Sequence, residues 1–249
     1  MRMYGLIGYP LGHSFSMTYF EQKFRKENIV DTVYRNFPIS TIRKFPDLVE
    51  EYPELCGLNV TIPYKQEVIP YLHQLDETAA EIGAVNTISL VRSGNNLLMK
   101  GYNTDVTGFT DSLNMLMKTR PDAALVLGTG GSSKAVIYSL GKMGIEVHRV
   151  SRRSSGNAMA YNELDRKVID KCKLIVNTTP LGMFPEVDTC PDIPYEFIGR
   201  EHIVFDLVYN PEMTLFMKKS SEKGALACNG MDMLVGQAEA AWKIWNSQK

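Results

Sequence analysis

AALVLGTGGSSKAVIYSLGKMGIEVHRVSRRS, residues 123–154, decides the fold. Ala124 to Leu127 reads as a strand apolar on both faces, as buried parallel strands are, and it runs straight into GTGGSS. From Ser132 to Met143 the residues Ala135, Val136, Ser139, Leu140 and Met143 share one helical face. Val147 to Ser151 is the next strand and closes a βαβ unit. In that setting Gly128 permits a tight turn and Gly130 lets the backbone approach a pyrophosphate. The free N–H groups and dipole of a helix beginning near Ser132 favour negative charge. Ser133 stands where the third glycine is usual, with Gly131 ahead of it. An ordinary strand-to-helix loop could carry the same glycines. Their place inside a βαβ unit favours a nucleotide site formed by Gly128, Thr129, Gly130, Gly131 and Ser132.

The end of the second strand selects the cofactor. A chain that reads NAD offers an acidic residue there to the ribose hydroxyls. This one offers Ser151, Arg152, Arg153 and Ser154. Guanidinium forks and hydroxyls suit a 2′-phosphate through charge-assisted hydrogen bonds, so the stretch predicts NADP(H) rather than NAD. The competing reading is a solvated basic turn.

Outward from this unit, apolar runs at Leu174–Val176 and Ile203–Phe205 continue a parallel sheet. Toward the N-terminus, Tyr4–Gly8, Thr32–Phe37 and Cys56–Ile62 read as strands. A helix from Ser16 carries Phe20 and Phe24 one turn apart, and Asn28 can end it. Asp76–Ile82 reads as a short helix, Thr87–Arg92 and Leu97–Tyr102 as a hairpin, and Asp105–Met117 as a helix. Met231, Leu234, Val235, Ala238, Ala241, Trp242 and Trp245 form a stripe at helical period. The expected architecture is two-lobed α/β. Residues 1–104 form an N-terminal substrate-binding lobe, residues 105–230 a Rossmann-type doubly wound parallel sheet, and a C-terminal helix (231–249) returns to the first lobe.

Composition narrows the function. The 249 residues are 44% hydrophobic, and 27 Lys+Arg against 28 Asp+Glu leave a net charge of −1. Nucleic-acid binders normally show a basic excess, so no nucleic-acid partner is expected, although a local patch for a phosphorylated ligand remains open. Apolar runs fall far below the roughly 18 residues of a membrane span, so no membrane partner is expected either. The start breaks at Gly5, Gly8 and Pro10 before a signal-peptide core could form. Cys56, Cys172, Cys190 and Cys228 stand far apart, as reduced packed thiols of a cytoplasmic protein do. The four histidines have no metal-ligand spacing, so no metal is expected.

The N-terminal half also holds an unusual set of small polar residues at strand ends. Ser14 and Ser16 lie in a glycine- and proline-rich loop; Asn59 and Thr61 flank Val60; Asn86 lies in GAVNT; Asn103, Thr104 and Asp105 end the hairpin. Such residues donate and accept toward a polyhydroxylated ring, although Ser16 and Thr104 could equally be helix starts. A hydride leaving an alcohol carbon requires that the hydroxyl lose its proton. Lysine drawn out of water gives up its proton more readily, and an adjacent carboxylate orients it. Lys65 with Asp105 is a sensible acid/base pair; an exposed lysine at a helix start is the plainer alternative.

Taken in order, these motifs resemble the shikimate dehydrogenase family over nearly the whole chain. GYPLGHSFS (8–16), GLNVTIPYK (57–65), GAVNT (83–87) and GYNTD (101–105) are similar to its substrate motifs. GTGGSSKA (128–135) and VSRRS (150–154) are similar to its nucleotide loop and NADP-selecting stretch, and DLVYNP (206–211) and GMDMLVGQA (230–238) to two late motifs. The resemblance implies reversible NADPH-dependent reduction of 3-dehydroshikimate to shikimate. It implies that Ser14 and Ser16, with Tyr209 nearby, bind the substrate carboxylate, and that Thr61, Asn86, Asp105 and Gln237 hold ring hydroxyls. Lys65 becomes the acid/base, and Leu207 and Gly230 lie by the nicotinamide. Met17 stands where the family has a proline, and Leu207 where methionine is common. The alternatives are a quinate/shikimate dehydrogenase, a folate-type dehydrogenase and a non-catalytic NADP-binding regulator. A monomer or a homodimer is expected.

Overall fold

The computed structural model describes residues 1–11, 15–94, 96–154 and 156–247. The chain divides into two compact units, one of residues 1–104 with 238–249 and one of residues 105–237.

In the first unit β1 (Arg2–Gly8) is flanked by the parallel strands β2 (Thr32–Pro38) and β3 (Leu55–Val60). Helix α1 (Phe15–Lys26) joins β1 to β2, and α2 (Phe45–Glu51) joins β2 to β3. Phe20 and Phe24 bury the inner face of α1. Asn28, at φ +51°, ends it in the left-handed conformation that asparagine tolerates. Strand β4 (Gln74–Leu75) precedes α3 (Glu77–Ile82), whose N-cap Asp76 accepts a bond from the Ala79 N–H at 3.0 Å. The hairpin β5 (Thr87–Ser93) and β6 (Asn96–Tyr102) completes a mixed sheet of order β2-β1-β3-β5-β6-β4. Alternation along β1 sends Met3 and Ile7 into one apolar cluster, with Leu55, Leu58 and Ile88, and Tyr4 and Leu6 into another, with Phe20, Tyr34 and Trp245.

The second unit opens with α4 (Asp105–Leu116) and continues through β7 (Ala123–Leu127), α5 (Gly131–Lys142), β8 (Glu146–Ser151) and β9 (Ala158–Ala160). Then come α6 (Arg166–Lys171), β10 (Leu174–Asn177), β11 (Ile203–Asp206), α7 (Leu215–Ser221) and β12 (Leu226–Cys228). All six strands are parallel, in the order β12-β11-β10-β7-β8-β9. That is the doubly wound Rossmann order, which reverses direction between β7 and β10. Ala123, Leu125 and Leu127 face one core cluster while Ala124 and Val126 face another, and none of the five is solvent-accessible. Burial on both faces is why β7 reads as an unbroken apolar run.

Helix α8 (Met231–Asn246) belongs to both units. Met233 packs with Phe109 and Leu113 of the second. Ala238, Ala241 and Trp245 pack with Tyr4 and Phe20 of the first. Trp245 stacks on Tyr4 at 4.7 Å between centroids and donates its indole N–H to the Ile88 carbonyl at 2.9 Å. Gly57 on β3 is the seat for that indole, since a Cβ there would stand 2.3 Å from Nε1. No helix among the described residues is long and apolar enough to cross a membrane.

Candidate active site

Within the first unit, Ser16, Thr61, Lys65 and Asn86 lie at or just beyond the ends of α1, β3 and β5. Two backbone bonds draw their segments together. The Thr61 N–H donates to the Ile7 carbonyl at 2.9 Å, extending the β1–β3 pairing, and the Val85 N–H donates to the Lys65 carbonyl at 2.7 Å. Lys65 is half-buried in a turn after β3, whereas Asn86 is 1% exposed. Ser14 lies outside the described residues.

The Asn86 side chain is held by its oxygen. Oδ1 accepts from the Thr104 N–H at 2.7 Å, from the Thr104 hydroxyl at 3.1 Å and from the Thr87 hydroxyl at 3.2 Å. Asn59 on β3 points its amide nitrogen at the Asn86 carbonyl (3.4 Å) and at Thr87 Oγ1 (3.2 Å), and accepts the Tyr34 O–H at 2.8 Å. Ser16, buried at the start of α1, lies beside the Tyr34 phenol. The Thr104 hydroxyl is therefore spent on this network rather than on capping α4.

In the second unit the glycine loop stands after β7, where the sheet reverses its winding. Ligands of open α/β sheets bind outside the carboxyl ends of strands at such a point. Gly128 has φ +114°, and a Cβ on it would stand 2.6 Å from Thr178 Oγ1. Nothing lies within 4 Å of a Cβ built on Gly130, the N-cap of α5, so the approach to that helix start is open. Ser133 takes the third glycine's place because its buried hydroxyl donates to the Gly128 carbonyl at 2.7 Å. A cavity of ≈ 580 Å³ is lined by Thr129, Ser151, Arg152 and Arg153. The two arginines and Ser154 are exposed, and the Ser151 hydroxyl donates to the Arg153 carbonyl. Exposed guanidiniums beside an open helix start fit a nucleotide that carries an extra phosphate.

Other predicted residues of this unit fall at strand and helix ends. A Cβ on Gly230 would stand 2.3 Å from the Leu207 carbonyl oxygen, so these two backbones touch. Tyr209 is half-buried, and burial pushes its phenol above the usual range. Asp105 opens α4 with 3% exposure, and Gln237 is half-buried on α8. Asp206, fully buried at the end of β11, accepts from the Thr214 hydroxyl (2.6 Å), the Asn177 amide (2.9 Å) and the Val208 N–H (3.0 Å). Among the described residues no group of three or more His, Cys, Asp or Glu could hold a metal ion.

Comparison with known proteins decides the family. The family described as "Shikimate dehydrogenase substrate binding domain" matches residues 6–88. A shikimate dehydrogenase (NADP(+)) of Caldanaerobacter subterraneus is 36% identical, over 99% of this chain and 92% of its own. The chain belongs to the shikimate dehydrogenase family. Solved members share its fold: the shikimate dehydrogenase of Aquifex aeolicus superposes with a TM-score of 0.86 at 36% identity, covering 99% of this chain and 92% of that one. The shikimate 5-dehydrogenase of Thermus thermophilus, solved in complex with NADP(H) and shikimate, gives 0.86 at 27% identity, covering 99% and 94%.

Sequence reading of this shikimate dehydrogenase family member did not single out Tyr34 or Thr87, nor Asn177, Asp206 and Thr214. The available signal was repetition. Asn86-Thr87 and Asn103-Thr104 are twin Asn-Thr pairs at the two ends of one hairpin, where an apolar strand start would need no hydroxyl.

Proposed function

We propose that this chain catalyses the reversible reduction of 3-dehydroshikimate to shikimate with NADPH. Its likeness to NADP(+)-dependent shikimate dehydrogenases over nearly the full length carries this reading. Ser14 and Ser16 hold the substrate carboxylate by hydroxyl donors, with Tyr209 assisting. Thr61, Asn86, Asp105 and Gln237 hold ring hydroxyls. Lys65 delivers a proton to the ketone oxygen as hydride reaches the carbonyl carbon, and takes it back in the reverse direction. The Asp105 carboxylate orients the Lys65 ammonium.

Residues 105–230 form the NADP-binding domain, and residues 1–104 the substrate-binding domain, to which the C-terminal helix (231–249) returns. Gly128, Thr129, Gly130, Gly131 and Ser132 bind the pyrophosphate through backbone N–H groups, and Ser151, Arg152, Arg153 and Ser154 bind the 2′-phosphate. Leu207 and Gly230 border the nicotinamide, which when bound supplies the hydride.

Absorbance at the NADPH band, with shikimate, quinate or no added substrate, tests the reading. Shikimate-dependent reduction of NADP is expected; equal or faster turnover of quinate would move the assignment to a quinate/shikimate dehydrogenase. Replacing Lys65 by Ala should lower kcat by roughly 10²–10⁴-fold, the usual worth of one general acid/base. Near-normal turnover would remove Lys65 from the chemistry.

A further inference from the structure

The hydrogen bonds around Asn86 have only one polarity. The Thr104 backbone N–H can only donate, so the Asn86 atom 2.7 Å from it is the amide oxygen. The Asn86 backbone carbonyl can only accept, so the Asn59 atom facing it at 3.4 Å is the amide nitrogen. That leaves the Asn59 oxygen toward Tyr34, and the phenol must donate to it. Two main-chain groups thus fix the amide orientations of Asn59 and Asn86 and the direction of the Tyr34 bond.

Thr87 is the junction of this network. Its hydroxyl, with 0% exposure, meets Asn59 Nδ2 at 3.2 Å, Asn86 Oδ1 at 3.2 Å and Thr104 Oγ1 at 3.1 Å. However the two threonine hydrogens are shared, at least one of them joins the Thr104 N–H on Asn86 Oδ1. A carbonyl oxygen has two lone pairs, so that oxygen is filled. The group Asn86 has left beside that oxygen is its N–H₂, a donor.

We propose that Thr87 is a positioning residue which, with Thr104, locks Asn86 in a single amide orientation, so that Asn86 meets its ligand as a donor to a hydroxyl oxygen and never as an acceptor. This rests on the reading of Asn86 as a substrate residue given above. Its consequence is selective: the ligand hydroxyl that Asn86 meets is read through its lone pair, and its hydrogen must be accepted by a different group.

Steady-state kinetics on the full-length enzyme with shikimate and NADP test this, using Asn86→Ala, Asn86→Asp, Thr87→Val and Thr87→Ser. Thr87→Val keeps the volume and removes the junction hydroxyl. It should raise the KM for shikimate about tenfold, the equivalent of about 1.4 kcal/mol, and leave the KM for NADP within twofold. Thr87→Ser, which restores the hydroxyl, should return the shikimate KM to near the parent value. Asn86→Asp retains an acceptor and loses the donor, so it should be as impaired as Asn86→Ala. A parent-like shikimate KM for Asn86→Asp would show that the oxygen meets the ligand and would overturn the proposal. So would a Thr87→Val enzyme with unchanged shikimate KM while Asn86→Ala is impaired; the site reading would then survive alone. If Asn86→Ala itself left the shikimate KM unchanged, the site reading would fall and the proposal with it. Equal rises in both KM values for Thr87→Val, unrescued by serine, would reduce Thr87 to a packing residue and also overturn it.

Discussion

At the scale of single residues, Arg152 is the most exposed test of cofactor choice. It lines the cavity beside Thr129 and Ser151, and its guanidinium is open to solvent. A hydrogen bond to a charged partner contributes about 1.5–3 kcal/mol, which corresponds to roughly ten- to a hundredfold in affinity. Arg152→Asp should therefore weaken NADPH by about that factor and leave NADH little changed, as titration of dihydronicotinamide fluorescence with each reduced cofactor would read. Equal weakening of both would remove Arg152 from phosphate recognition. The place of the arginine pair beside the glycine turn was legible in the sequence because its signal is local: a strand end of known offset from that turn. The orientation of Asn86 was not legible. It depends on an amide of β3, the hydroxyl at the start of β5 and the hydroxyl and N–H of Thr104 beyond β6, and no spacing rule links those positions. Burial raises the Cys172 thiol to about 11 and Cys228 to about 12, so both stay protonated at neutral pH, as packed thiols do.

At the scale of elements, the end of β11 shows how a strand terminus is tied to its neighbours. Asp206 joins β11 to the end of β10 through Asn177 and to the N-cap of α7 through Thr214. Burial pushes its carboxyl up to about 6, outweighing the three donors that favour the charged form. The folded protein therefore holds a proton on Asp206 between pH ~4 and ~6 that the unfolded chain has already released. Protons bound in excess by the folded state make stability fall as pH rises, so this residue should cost about 2–3 kcal/mol across that window. Urea denaturation of the parent and of Asp206→Asn at pH 4.5 and 7 checks the sign. The parent's loss on going to the higher pH should shrink in the variant; an unchanged difference would assign the dependence to other groups. Long periodic elements such as α1, α5 and α8, and the buried run of β7, were legible from their patterns. Six short elements, α2, β4, β9, α6, α7 and β12, had no counterpart in that reading. At two to seven residues each, they owe their form to packing, because isolated helices so short are unstable in water.

At the scale of the whole molecule, the first unit is built from two separated stretches of chain. The cluster of Tyr4, Phe20, Phe24 and Tyr34 is completed by Ala238, Ala241 and Trp245 from the far end of the sequence. Trp245 contributes ring stacking, an indole hydrogen bond and the surface that fills the space over Gly57. Replacing it by Ala should destabilise this unit by about 3–5 kcal/mol, the range for deleting a buried aromatic. Replacing it by Phe should cost less by preserving much of the stack. Both tryptophans of the chain lie on α8, at 242 and 245, so the fluorescence of Trp242 reports the loss directly in Trp245→Ala. A denaturation midpoint like the parent's would show that the cluster closes without the indole. This closure also fixes an order of events during synthesis. As the chain leaves the ribosome, the strands of the first unit emerge early but wait, with Tyr4 and Phe20 uncovered, while the whole six-stranded sheet is made. Translation must run past the codon for Trp245 before the first unit can finish folding.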